Sequence, residues 1–441
     1  MRGAVRRSPA LVDRPRARTR AGREHPPPPR LDLTFPRIGV ISMMRPGSWP
    51  SLILLYLYGV VATSLVTQSV PVIADMAKQF ALGSAASGWV ISVPSLVTAI
   101  AAVFGGWLID RVGDKRVIFA GSLFALAGNV IVFFSHTGGV LFTGRLVEGV
   151  GYLSLTVGAV TMMMRTTSGP RRAVALGVWA SHTAVGVGLT LTIIAPLAGH
   201  GQAWRWAFGG HAVLMALLAI AAVFLPGRTE NDAPARKLAD IWAVLKSLPP
   251  YRVALASGFS AFIQTGIMNA LTVYLTASFG VSVKTAAGVG TIAEVFVVVG
   301  SLSAGYLLKA GVRARRIGVT AGVITLAGGV ALYLPATGFA GACVAVCVFS
   351  LGIGTVNGLI WTFVPGAAPS TETLGATSGL VSQATYLGVL LGPPAIFASF
   401  FDGGWVIRLV LVIVAVVLQV VLLPFAAAAR TRAARTPEPS V

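Results

Sequence analysis

Residues 105–117 read GGWLIDRVGDKRV. An apolar stretch ends at Ile109. The charges Asp110, Arg111, Asp114, Lys115 and Arg116 follow, and a second apolar stretch begins at Val117. Two long hydrophobic segments joined by a short, charged loop describe a chain that leaves a membrane and re-enters it.

The rest of the 441 residues repeats that pattern. Mean hydropathy is +0.80, 55% of residues are hydrophobic and 11% are charged. A soluble domain needs about 25% charged residues on its surface. Apolar runs of about eighteen or more residues, each long enough to cross hydrocarbon as a helix, recur along the chain. Alternating strand-length segments are absent, which argues against an outer-membrane barrel. The reading is an all-α membrane protein with twelve transmembrane helices, at 51–72, 86–109, 117–135, 140–164, 173–197, 205–225, 252–276, 284–308, 316–334, 339–364, 373–399 and 405–427. The longest connection, 226–251, separates a six-helix bundle over 49–225 from a second over 252–427, with a tail over 428–441.

Charge sets the expected orientation. The net charge of +20 comes from 34 Lys and Arg against 14 Asp and Glu. With the N-terminus in the cytoplasm, the basic residues gather on the inner side: Arg111, Lys115 and Arg116; Arg165, Arg171 and Arg172; Arg236, Lys237 and Lys246; Lys309, Arg313, Arg315 and Arg316; Arg430, Arg432 and Arg435. Outer loops keep Lys78, Arg205 and Lys284. This is the positive-inside pattern, so the linker and both termini are expected in the cytoplasm, and the excess charge requires no nucleic acid. Residues 1–48 are Arg- and Pro-rich without apolar periodicity, which predicts a disordered basic arm. The arm either touches anionic lipid or precedes a true start at Met43 or Met44; the second reading is favoured. Cys343 and Cys347 sit one turn apart in the tenth span and point to neither a disulfide framework nor a metal site.

The two halves repeat with an offset of roughly two hundred residues. Span 5 has Gly177 and Gly186; span 11 has Gly379 and Gly388 at the same spacing. Trp204 and Trp405 mark the outer loops that follow. Span 4 carries Gly149-Val150-Gly151 where span 10 carries Gly352-Ile353-Gly354, and Gly106 near the end of span 2 matches Gly305 near the end of span 8. Glycines at such spacings let helices approach closely. Agreement of three span pairs on one offset goes further and marks a carrier built from two like bundles, with its site between them near the bilayer midplane.

The opening stretch now has a counterpart. Gly106, Asp110, Arg111, Gly113, Lys115 and Arg116 resemble the loop 2–3 signature of the major facilitator superfamily, and the resemblance extends over roughly 50–427. It departs at Ile109, where a small residue is usual, and at Asp114, where a basic one is usual. The resemblance implies the superfamily's fold of two six-helix bundles. Physically, a carboxylate at Asp110 is suited to the exposed N–H groups at the start of span 11. Gly106 would allow contact with Gly375 and Gly379. These residues are expected to latch the two halves together on the inside.

Ionisable groups within spans are costly and therefore functional suspects. Arg145 and Glu148 share a face of span 4 and resemble the superfamily's span 4 signature; the matching span 10 positions, near Val348 and Leu351, are apolar. The pair serves either substrate and proton handling or a structural clamp, and the first is favoured. Glu294 stands alone in span 8, about ten residues from its outer end, where a proton-coupling group is needed. His182 in span 5 is a candidate proton relay or anion ligand, with helix packing the alternative; His211 in span 6 is expected in the peripheral layer. In superfamily members spans 1, 4, 7 and 10 surround the cavity. Here they offer Tyr58, Thr67, Gln68, Gln264, Asn269, Asn357 and Trp361.

Drug/proton antiporters of this superfamily end their span 5 signature in Gly-Pro. This chain has Thr190-Leu191 there, while span 11 carries Gly392-Pro393. The runs around Arg145, Trp179 and Trp204 resemble the cyanate/nitroimidazole-type branch. No metal-ligand spacing or phosphate-binding loop is present, which excludes the common enzyme and ATP-driven classes. The expected function is secondary transport of a small polar or anionic solute across the inner membrane, coupled to protons, by a monomer without cofactor. A drug or metabolite exporter and a non-transporting sensor are the alternatives.

Overall fold

The computed structural model describes residues 44–227, 239–402 and 404–425. Most of the N-terminal arm, residues 228–238 of the linker with Arg236 and Lys237, and the tail from 426 lie outside the described residues.

Among the described residues twelve helices are long and apolar enough to cross a membrane. They are spans 1 to 12: Trp49–Thr67, Ala86–Val112, Asp114–Phe133, Gly138–Thr166, Gly169–Ile194, Gly201–Ala222, Leu248–Phe279, Thr285–Lys309, Ala314–Tyr333, Phe339–Ala367, Thr371–Ser399 and Gly404–Leu422. Span 1 ends sooner than its hydropathy predicts. Gln68 and Ser69 are buried there, and a short helix, Ile73–Gln79, follows the turn. Span 5 is interrupted between Trp179 and His182, where the Ser181 hydroxyl bonds the Val178 carbonyl (2.7 Å) and meets the Tyr56 hydroxyl (2.9 Å). A side chain that competes for a backbone carbonyl weakens a helix at that point.

Burial orders the spans. Within its most apolar window span 4 is 78% buried and span 12 only 22%, so span 4 lies at the centre of its half and span 12 at the periphery. Lipid supplies no hydrogen bonds, so each backbone is satisfied within its own helix and helices associate through packing. The repeated glycines do that packing. A Cβ on Gly186 would strike Val60 and Thr63 of span 1, and one on Gly388 would strike Gly258 and Phe262 of span 7. Each half therefore uses the same position to bring its fifth span onto its first. Gly151 packs on span 3 at Gly121 and Ala125, and Gly352 on span 9 at Ala321 and Thr325. These two glycines are thus the equivalents, two residues away from the alignment that the Gly-x-Gly sequences alone imply.

Candidate functional site between the two halves

The halves meet along two seams. In the first, span 2 packs on span 11. A Cβ on Gly106 would collide with the backbone of Gly375, and one on Gly379 with the backbone of Ala102, so the helices approach backbone to backbone. Asp110, one turn beyond Gly106, is buried at the seam. Its Oδ1 accepts the Gly375 N–H and its Oδ2 the Ala376 N–H, both at 2.8 Å. Both donors belong to the first turn of the helix Leu374–Asp402, where N–H groups have no intrahelical partner and the dipole favours an anion. Hydrogen bonds to a charged group contribute about 1.5–3 kcal/mol each.

Asp110 is held from behind. The Arg165 guanidinium, at the end of span 4, pairs with both Asp110 and Asp114. Asp114, the departure from the superfamily pattern, thus supplies the second carboxylate of an Arg165-centred triad and opens span 3. Gly113 joins the two spans at φ 100°, a conformation that a side chain disfavours. The other charges of this loop lie further from the seam. Arg111 rests over the Trp107 ring at 5.4 Å, Lys115 donates to the Val223 carbonyl at the end of span 6 (2.6 Å), and Arg116 is exposed.

In the second seam, span 5 packs on span 8. A Cβ on Gly177 would press on Gly305 and Ser301, and one on Gly305 on Ala173 and Val174. Both seams lie on the membrane half that carries loop 2–3. Nearer the middle, Tyr152 of span 4 and Tyr386 of span 11 touch hydroxyl to hydroxyl, with ring centroids 5.5 Å apart.

Arg145 and Glu148 are sealed inside spans 1–6. Both are fully buried and form an ion pair. The guanidinium also donates to the carbonyls of Val90 (2.8 Å), Leu65 (3.2 Å) and Val66 (2.9 Å). Leu65 and Val66 are in the last turn of span 1, whose carbonyls lack intrahelical donors and whose dipole end favours a cation. Gln68 donates to Asn129 (2.9 Å) and stands 3.5 Å from Glu148. Arg145, Glu148, Gln68 and Asn129 thus form one enclosed network tying spans 1, 2, 3 and 4.

The remaining candidates separate. Tyr58 is fully buried and donates to the Leu218 carbonyl of span 6 (2.5 Å), which makes it a packing group within the first half. His182 is buried and stacks on Trp179 with centroids 4.3 Å apart, its Nδ1 2.7 Å from the Trp179 carbonyl. In the second half Asn357 accepts from Ser260 (2.6 Å) and donates to Gln264 (2.7 Å), joining spans 7 and 10. Asn269 is exposed and bonds its own helix at Thr265 (2.8 Å), away from that cluster. Glu294 is half-buried in span 8, and among the described residues no hydrogen bond or ion pair reaches it.

Several participants escape a reading by residue type. Arg165 counts in the sequence only as one more inner-side cation. Tyr152, Tyr386 and Asn129 carry no charge and no motif. Asp114 leaves a signal only as a departure from the expected pattern.

Two six-span halves repeated in one orientation, joined along glycine seams, define the fold of the secondary carriers. The model of the Major Facilitator Superfamily matches residues 52–393, and the chain belongs to that family. In sequence it is similar to the human solute carrier family 2 facilitated glucose transporter member 10, with 31% identity over 140 residues, 32% of this chain and 26% of that protein. It is similar also to the arabinose-proton symporter of Escherichia coli K12, with 30% identity over 163 residues, 37% and 34% of the two chains. The matched segments span about a quarter to a third of those relatives. In structure it is similar to the transporter FucP in its outward conformation: TM-score 0.73, 13% identity, covering 88% of this chain and 99% of that one. This protein is a multi-pass membrane protein of that fold.

Proposed function

We propose that this chain is a proton-coupled secondary transporter that moves a small polar solute across the inner membrane by alternating access. The observation that carries the reading is that both seams between the halves lie on one side of the membrane. The halves are held together on the loop 2–3 side, which the basic loops make cytoplasmic, by backbone packing and the Asp110 contact. The Asp110 contact is the proposed latch, with Gly106, Gly113, Gly375 and Gly379 shaping it; Arg111, Lys115 and Arg116 serve the topology of the loop. The outward conformation of the similar FucP structure agrees with closure on that side.

Glu294 supports proton coupling. A carboxylate without a cation beside it, in the membrane-spanning part of span 8, gains or loses a proton without breaking an ion pair. Arg145 and Glu148 are better assigned to the clamp, since every guanidinium nitrogen already has a partner. Arg145 is therefore closed to an anionic solute, which removes the support it gave to an anionic substrate. Gln264 and Asn357 in the second half and the Tyr152–Tyr386 pair between the halves offer uncharged hydrogen-bonding groups. They favour a neutral polar solute, in line with the sugar named for the similar arabinose-proton symporter. We place His182 in the hinge region of span 5, stacked on Trp179, and not in a relay.

The test uses the full chain in proteoliposomes. Glu294→Gln is expected to abolish accumulation driven by a pH gradient and to keep exchange between two loaded compartments, which needs no net proton movement. Unchanged pH-driven accumulation would make Glu294 structural and favour a uniporter. Absence of counterflow in the wild-type protein, with binding retained, would favour a sensor. Glu148→Gln acts differently. It leaves Arg145 buried without its counter-charge and should lower stability by about 3–5 kcal/mol, read as a lower unfolding temperature in detergent.

A further inference from the structure

A cavity of about 330 Å³ opens between spans 1, 5 and 6, away from both seams. Val60 and Ser64 form its wall on span 1, Ile193 on span 5, and Trp206, Gly210 and His211 on span 6. Its mouth faces outward from the helices: Ile193 is 68% exposed and Trp206 70%. In a chain that lies in a bilayer, large exposed apolar side chains on the outer face of the spans meet hydrocarbon. Trp206 belongs to the first turn of its helix, the depth at which tryptophans mark the membrane interface. The opening therefore sits just beneath the headgroups, on the membrane half opposite loop 2–3.

The cavity has a local cause. Gly210 gives span 6 no side chain at that point, and a Cβ built there would meet nothing within 4 Å. The polar groups at the back are satisfied among themselves. Thr190 donates to the Ser64 hydroxyl (2.7 Å), His211 Nε2 lies 2.9 Å from that same oxygen, and His211 Nδ1 lies 3.2 Å from the Ala207 carbonyl. The space asks nothing polar of its occupant. An apolar cavity of about 150 Å³ already takes up benzene from water, and this one is larger and opens on a hydrocarbon phase.

We propose that this cavity is a binding site for one acyl chain of a bilayer phospholipid, held between spans 1, 5 and 6 with Gly210 making the room. The site is independent of the solute path and of the reading of Glu294. The test places the full-length protein in vesicles doped with a phospholipid that carries a photoactivatable diazirine on its acyl chain. Labelling of residues 189–197 and 206–214 should exceed labelling of the exposed face of span 12, where Val406, Val410 and Val421 stand out from the bundle. Gly210→Phe fills the space from inside without a backbone clash. Filling that room leaves the chain no place between the spans, so labelling of the two segments should fall to the level of span 12 while span 12 is unchanged. Gly210→Leu serves the same purpose where the larger ring reduces yield. Equal labelling of the cavity and of span 12 in the wild-type protein would overturn the proposal, as would unchanged labelling in a folded Gly210 variant.

Discussion

The seam between spans 2 and 11 and the seam between spans 5 and 8 occupy the same place in the two repeats, yet they are held differently. Both close because a glycine admits the facing backbone, Gly106 against Gly375 in one and Gly305 against Gly177 in the other. Among the described residues, the first adds a charge contact. Asp110 accepts two N–H groups from the start of the span 11 helix, and Arg165 neutralises it from behind. The repeat position of Asp110 in span 8 is Lys309, which is exposed, and span 5 begins with Gly169, Pro170, Arg171 and Arg172. A cation facing the positive end of a helix gains nothing there. The difference teaches that shape complementarity is what the repeat preserved, and that the electrostatic hold belongs to one side.

Substitutions at the glycines should break both seams equally and have the largest effect. Gly106→Leu and Gly305→Leu each drive a side chain into opposing backbone, where overpacking costs about 1–3 kcal/mol or more. Transport in proteoliposomes should be lost in both at normal membrane abundance. Cysteines placed near the loop 2–3 ends of the spans should become permanently reactive. Full transport in either variant would mean that the seam does not need to close.

Asp110→Asn should come next and should affect only the first seam. The amide keeps the size and one acceptor but loses the charge. The loss of charge-assisted bonding, about 1.5–3 kcal/mol per hydrogen bond, should shift the conformational balance away from the closed seam and reduce transport by roughly tenfold or more. Wild-type rates at equal abundance would remove Asp110 from the latch. Lys309→Ala should have the smallest effect, within about 0.5 kcal/mol as for exposed surface positions, with transport close to wild type. A loss comparable to that of Asp110→Asn would show that the second seam carries a charge contact of its own and would erase the asymmetry.

Much of the architecture was legible in the residues. Hydropathy located the twelve spans, and GGWLIDRVGDKRV carried both the loop 2–3 motif and the pairing of Asp110 with a helix start as an expectation. The cavity-facing candidates were less legible. Gln68 and Gln264 are the same residue type in corresponding first spans. One is sealed with Asn129 beside the Arg145–Glu148 pair, and the other bonds Asn357 across spans 7 and 10. Nothing in their local sequence distinguishes them, because the difference lies in how each helix is rotated against its neighbours. Arg165 was hidden for another reason: its three-way contact joins residues 51 and 55 positions apart, among many cations that serve topology alone.

The sequence by itself determined the class of molecule and the number of spans. The physical reason is that hydrocarbon offers no hydrogen bonds, so a membrane span must be a long, continuous and apolar helix whose signal is written locally. The tertiary structure alone decided which charge meets which partner. Arg145 was turned toward the carbonyl ends of span 1, Glu294 was left without a partner among the described residues, and Tyr152 was brought against Tyr386 from 234 residues away. Those outcomes follow from helix rotation and from close packing at glycine, and a contact set by rotation leaves no periodic trace in the chain.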